Sequence, residues 1–210
     1  MSYKRDSSKA SVILLAAGMA RRMGKPKQLL PLGSSTIMGI TLDNITASSV
    51  NQIIVVTGAS AEATGAIASR ANTTVVHNPD YRHGMSTSLH KGLERLDPGS
   101  GLIMVALADQ PLTRTETYNL IIEHAKRSQK GIVIPVHHGK QGNPIVIRRS
   151  YLPELLAFEG DVGGRELLVR HPDDILRLEV NDPGVITNIN TPHDYEKIKS
   201  EFARGGYNSA

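Results

Sequence analysis

Short aliphatic runs alternate with longer amphipathic stretches along most of the chain, and the two periods predict its elements. Val12-Ile-Leu-Leu-Ala16, Gln52-Ile-Ile-Val-Val-Thr57, Thr73-Thr-Val-Val-His77 and Leu102-Ile-Met-Val-Ala-Leu107 read as strands. So do Gly131-Ile-Val-Ile-Pro135, Pro144-Ile-Val-Ile147 and the alternating Ile175 to Val180. Between them, Thr36–Ser48, Ala61–Ala71, Ser86–Leu96 and Arg114–Arg127 carry apolar residues at helical spacing. Ser150–Ala157 and Arg165–Val169 predict shorter helices. Pro192–Phe202 predicts a closing one, with Thr191 as its N-cap and Pro192 at the first helical position. Val- and Ile-rich strands separated by helices imply a mostly parallel sheet covered on both faces. The fold class expected is therefore α/β, a three-layer sandwich. It would form a single domain over residues 1–210, with an ordered core at about 11–203. In such sheets ligands gather beyond the carboxyl ends of the strands.

Composition narrows the function more than the fold. The 210 residues carry a net charge of +4, from 24 basic and 20 acidic side chains. That is too mild to imply nucleic acid, and no Trp and two Phe leave few stacking platforms. The absence of cysteine excludes disulfides, thiolate nucleophiles and Cys-based metal sites. The polar Met1–Ser11 stretch lacks the apolar centre of a signal peptide, and no apolar run approaches a membrane span. A cytoplasmic protein without membrane contact is expected.

Two strand ends hold the candidate chemistry. After the first strand, Leu15-Ala-Ala-Gly-Met-Ala-Arg-Arg-Met-Gly-Lys-Pro-Lys27 combines small residues with four cations. Small residues at Ala16, Ala17 and Gly18 let backbone N–H groups approach phosphate oxygens, and Arg21, Arg22, Lys25 and Lys27 offset their charge. The need is large, since two unit charges about 4 Å apart repel by roughly 4 kcal/mol at an effective dielectric near 20. A solvated surface loop is the plain alternative, and the stretch is neither a P-loop nor a dinucleotide fingerprint. After the most apolar strand comes Asp109, in Ala106-Leu-Ala-Asp-Gln-Pro111. It is either the cap of a turn closed by Pro111 or a Mg²⁺ ligand, because Mg²⁺ takes few protein ligands beside phosphate oxygens. Taken with the cationic loop, the metal reading is the stronger. In Thr187-Asn-Ile-Asn-Thr-Pro192 either amide oxygen, of Asn188 or Asn190, is a candidate to complete that site, or caps the last helix. His77, His83, His137 and His138 match no usual zinc spacing, and Lys140-Gln-Gly-Asn143 suits a plain hairpin.

These residues resemble the nucleotidyltransferases of molybdenum cofactor synthesis, and among them the molybdenum cofactor cytidylyltransferase family. The resemblance is carried by Leu15-Ala-Ala-Gly-x-x-x-Arg22-Met-Gly and Lys27, by Ala-Asp109-Gln-Pro, by Gly84-Met-Ser-Thr-Ser-Leu-x-x-Gly92-Leu93 and by Gly160-Asp-Val-Gly-Gly-Arg165. It runs from about Val12 to Tyr195. It implies a Rossmann-like nucleotidyltransferase fold and transfer of a cytidylyl group from CTP to the phosphate of a molybdopterin-type cofactor, with release of pyrophosphate. Arg22, Lys27 and Asp109 are its implied catalytic residues. Leu15, Ala16, Ala17, Gly18, Arg22, Lys27, Gly84, Ser88 and Ala108 are the implied nucleotide contacts, and Asp161 with Arg165 the acceptor contacts. Mg²⁺ on Asp109 and Asn190 is the implied cofactor, and a molybdenum enzyme the implied partner. Asn188-Ile-Asn-Thr-Pro is closer to the guanylyl branch, where the cytidylyl branch often has Asp-x-Asp-Thr-Pro. For Asp161 and Arg165, a turn followed by a helix N-terminus is an equal reading. Other functions to weigh are transfer to a sugar phosphate or isoprenoid alcohol phosphate, use of GTP, a non-catalytic chaperone that inserts the cofactor into a partner enzyme, and a nicotinamide dehydrogenase.

Overall fold

A computed structural model of the chain describes residues 6–19, 23–69, 72–160 and 165–203. In chain order the elements are β1 (Asp6–Ala16), β2 (Pro31–Leu32), β3 (Ser35–Thr36), α1 (Ile37–Thr46), β4 (Gln52–Thr57), α2 (Ala61–Ala68), β5 (Thr74–His77), α3 (Met85–Leu93) and β6 (Ser100–Leu107). They continue with α4 (Thr115–Arg127), β7 (Ile132–His137), β8 (Lys140–Gln141), β9 (Ile145–Arg148), α5 (Leu152–Leu156), α6 (Arg165–Arg170), β10 (Ile175–Glu179) and α7 (Pro192–Ala203).

The main sheet runs β10-β7-β9-β6-β1-β4-β5, with β8 added to β7. β1, β4, β5 and β6 are mutually parallel, as are β7 and β10, while β9 lies antiparallel between β6 and β7. Strand alternation sends Val12 and Leu14 to one face and Ile13 to the other, all fully buried. Side chains of this size contribute about 1.5–3 kcal/mol each when buried. Two apolar layers result. Met38, Leu42, Tyr118 and Ile121 of α1 and α4 cover one face, and Leu89, Leu93, Leu155 and Leu167 of α3, α5 and α6 cover the other. Gly92 permits the second contact, since a Cβ there would stand 2.4 Å from Ile13 Cγ2.

A smaller third cluster joins Met23, Leu30, Leu32, Ile37, Ile189, Tyr195 and Ile198. It seats α7 on the two-stranded β2–β3 hairpin, where Tyr195 Oη also donates to the Pro31 carbonyl at 2.7 Å. The cap expected for α7 is present and reciprocal: Asp194 N donates to Thr191 Oγ1, and the Asp194 carboxylate accepts from Thr191 N and Asn190 N.

The chain leaves β1 for β4 and β5 on one side, then returns as β6 on the other. The boundary between β1 and β6 is thus a switch point, and the crevice outside it opens between the loops that follow these strands. The turn between β10 and the Asn188 segment is fixed to the start of α4 by Asp182. Its carboxylate, 1% exposed, accepts from Thr117 Oγ1 at 2.6 Å, Arg114 N at 3.0 Å and Gly184 N at 2.9 Å. Asp182→Ala strands these donors, and unfolding in urea is expected to show a loss of about 3 kcal/mol. A loss below about 1 kcal/mol would mean the donors find other partners.

Candidate active site

The crevice is a cleft of about 670 Å³. Its walls include Leu15, Ala17, Gly18 and Met19 after β1, Ala108 and Asp109 after β6, and Asn188 and Asn190 before α7. The loop after β5 closes the opposite side with Tyr81, Arg82, His83, Gly84 and Met85.

At the floor, Lys27 Nζ donates to Asn190 Oδ1 at 2.9 Å and forms an ion pair with Asp109 Oδ2. The sequence puts Asp109 82 positions and Asn190 163 positions from Lys27. Three packing facts bring them together. Asp109 lies two residues past the end of β6, Lys27 opens a short 3-10 turn whose Leu30 enters the third apolar cluster, and Ile189 anchors the Asn190 segment in that same cluster. The Ile189 N–H also donates to the Asp109 carbonyl at 3.1 Å, locking this segment alongside Asp109. Ile189 is fully buried, so the extended chain turns its neighbours Asn188 and Asn190 the other way, onto the cleft wall.

An ammonium held between a carboxylate and an amide oxygen marks a point suited to a cation. Hard oxygen donors in small number, open toward a cleft, fit Mg²⁺ or Mn²⁺, which fill their remaining positions with water and phosphate oxygens. Only Asn190 of the two candidate amides presents its oxygen here. Asn188 Oδ1 instead accepts from Gln110 Nε2 at 3.1 Å.

Of the residues expected from the sequence, Leu15, Ala17, Gly18, Lys27, Gly84, Ser88, Ala108, Asp109 and Asn190 all line the cleft. Ala16 does not. Its side chain packs in the apolar layer under α1 and its carbonyl receives Gln28 Nε2, because strand alternation turns it inward between Leu15 and Ala17. Arg22 and Asp161 lie outside the described residues, as does the side chain of Arg165, which opens α6. Gly160, the last described residue before Asp161, accepts through its carbonyl from both N and Oγ of Ser86 at the start of α3. Gly84 has φ 113°, ψ 169°, a conformation that favours glycine, and sets the entry of α3 into the wall. Ser88 is 5% exposed and accepts from Asn78 Nδ2 at 2.9 Å, so its own proton is left to donate. The histidines lie apart from the floor: His83 is on the exposed rim, and His137 Nδ1 meets the Val180 carbonyl.

Two supporting residues have no counterpart in the sequence reading. Buried Gln28 donates through Nε2 to the carbonyls of Ala16 and Gly18, fixing the loop after β1. Fully buried Asn78 braces Ser88, Thr87 and the Asp80 N–H from below. Buried amides beside a glycine-rich motif are the signal that points to them, since such groups must find partners.

Fold and cleft together define a Rossmann-like nucleotidyltransferase domain. Residues 12–175 match the MobA-like NTP transferase domain, and the chain belongs to that family. Molybdenum cofactor cytidylyltransferase of Escherichia coli (strain K12) is 27% identical over 191 residues, 90% of this chain and 95% of that protein. Nicotine blue oxidoreductase of Paenarthrobacter nicotinovorans is also 27% identical, over 85% of this chain and 91% of that one. Among solved structures, Rv0371c of Mycobacterium tuberculosis H37Rv superposes with a TM-score of 0.81 at 30% identity, covering 91% of this chain and 97% of its own. That protein has also been crystallised in complex with manganese. No helix among the described residues is long and apolar enough to cross a membrane.

Proposed function

We propose that the chain transfers a cytidylyl group from CTP to the phosphate of a molybdopterin-type cofactor and releases pyrophosphate. The observation that carries this reading is the convergence of Lys27, Asp109 and Asn190 at the floor of a cleft whose rim is a small-residue loop. The cytidylyltransferase relative, aligned over most of both chains, supports the choice of nucleotide and acceptor.

In this reading the backbone N–H groups around Ala17 and Gly18, with Arg22 and Lys27, hold the triphosphate. Gly84, Ser88, Leu15 and Ala108 border the nucleoside, and Asp161 and Arg165 meet the acceptor. Asp109 and Asn190 hold Mg²⁺, which when bound neutralises phosphoryl charge at the reacting centre. An oxygen of the acceptor phosphate bonds to the α-phosphorus as the bridge to the β-phosphate breaks, and the electron pair leaves with pyrophosphate. A phosphate dianion needs no general base, so the protein contributes position and charge. Lys27 must leave Asp109 and Asn190 to follow the triphosphate, a motion its unbranched stem allows. A molybdenum enzyme would receive the product.

A thermal-shift panel tests the reading. With Mg²⁺, CTP is expected to raise the melting temperature by roughly 5–10 °C at about 100 times its Kd, since that excess contributes about 2.7 kcal/mol. GTP, ATP and UTP should give less than half of that. A larger response to GTP would assign the chain to guanylyl transfer, which Asn188-Ile-Asn190-Thr-Pro favours. A response to NADH or NADPH alone would instead favour the oxidoreductase activity that one relative's name carries.

A further inference from the structure

We infer that Gln110 is a positioning residue that fixes the Asn188 amide so that its Nδ2 group is presented to the cleft as a donor to an acceptor phosphate oxygen. This rests on the reading above and adds a residue pair to it. The orientation follows from hydrogen-bonding logic. Gln110 is 2% exposed, and its Nε2 donates to the Val185 carbonyl at 3.0 Å. A backbone carbonyl only accepts, so this contact decides which end of the Gln110 amide is nitrogen. The second proton on that nitrogen then faces Asn188 at 3.1 Å, which must answer with its oxygen. Asn188 is thereby turned so that its NH₂ is the end left over, and no described residue accepts from it. Asn188 lines the cleft, and the group it offers there is a pair of neutral donors beside the Lys27–Asp109 ion pair.

The spacing indicates what meets those donors. Asn190 holds the floor with Lys27 and Asp109, and Asn188 lies two residues back along an extended segment, about 6–7 Å away. In that reading the loop after β1, Lys27 and a divalent ion on Asp109 and Asn190 would offset the charge on the nucleotide. An oxyanion one step beyond them belongs to the second substrate. Gln110 and Asn188 meet directly, one residue on from Asp109 and two back from Asn190, which share Lys27 at the floor.

Gln110→Met keeps the volume and removes the donor. Side-chain amide NMR of the full chain, with CTP and Mg²⁺ bound, uses inorganic phosphate as the probe, and Asn188→Ala identifies the Asn188 signal pair. In the unsubstituted protein these signals move on adding phosphate. In Gln110→Met the movement is expected to fall by more than half, while the thermal shift with CTP stays unchanged. With molybdopterin as acceptor, Gln110→Met and Asn188→Ala should each raise its KM about tenfold, the loss of roughly one hydrogen bond to a charged group. Neither should alter the KM for CTP, and the double variant should be no worse than either single one. Asn188 signals that ignore phosphate, or that respond equally in both proteins, overturn the assignment. Failure of CTP to bind or turn over in the unsubstituted protein counts against cytidylyl transfer instead, and phosphate titration without nucleotide then still decides the role of Gln110.

Discussion

Asp109→Ala is expected to lower metal-dependent pyrophosphate release by at least about 10³-fold. That factor corresponds to roughly 4 kcal/mol of transition-state stabilisation, the scale on which a bound divalent ion acts. The protein should remain folded. The Asp109 backbone carbonyl, not its carboxylate, receives the Ile189 N–H, so the Asn188–Asn190 segment keeps its anchor in the variant. Lys27 keeps its contact with Asn190. Steady-state assays with Mg²⁺ and Mn²⁺, alongside a melting curve, separate lost chemistry from lost structure. Turnover within about tenfold of the parent would remove Asp109 from the metal site.

Lys27→Met should act in two opposite directions. Nucleotide affinity is expected to fall by about 10–100-fold, the worth of one charge-assisted contact to a phosphate. Affinity for Mn²⁺ in the absence of nucleotide should rise. The Lys27 ammonium occupies the point between Asp109 and Asn190 that a divalent ion would take, so an ion arriving alone must displace a cation already paired there. With a triphosphate present, Lys27 has an anion to move to, and that competition is lifted. Titration of Mn²⁺ with and without CTP, in both proteins, reads this coupling. If Lys27→Met bound Mn²⁺ no better than the parent without nucleotide, the lysine would not be acting as a competitor for the metal position.

The sequence exposes the parts of this fold that are buried on both faces. The runs in β4 and β6 are continuous and aliphatic because helices cover them from both sides. The direction of β9 is not legible in the same way. Ile145-Val-Ile147 has the composition of any interior strand, and its antiparallel placement follows from the short β7–β8 hairpin that precedes it. β2, β3 and β8, two residues each, are too short for any periodicity to register. β1 begins at Asp6, earlier than its apolar run, because its polar start pairs with Ser100 of β6 across a bulge. At the site, residues that follow strands were readable from their position, which is how Asp109 and the Ala17–Gly18 loop stand out. The roles of Gln28, Asn78 and Gln110 were not, although Asn78 and Gln110 also follow strands, since each works by reaching a backbone carbonyl or a hydroxyl on another element. The choice between Asn188 and Asn190 as oxygen donor also depends on such a contact and could not be made from spacing alone.

The small apolar cluster beneath α7 has a consequence for how this site can change. Lys27 and Asn190 are both tethered to it, through Leu30 and Ile189, whereas the strands that carry Ala17 and Asp109 belong to the two large layers. The floor is therefore assembled from two apolar blocks, joined by the bond from the Ile189 N–H to the Asp109 carbonyl. Repacking around Tyr195 and Ile198 would turn the lysine and the amide about that shared bond, retuning the cation position while the sheet stays as it is.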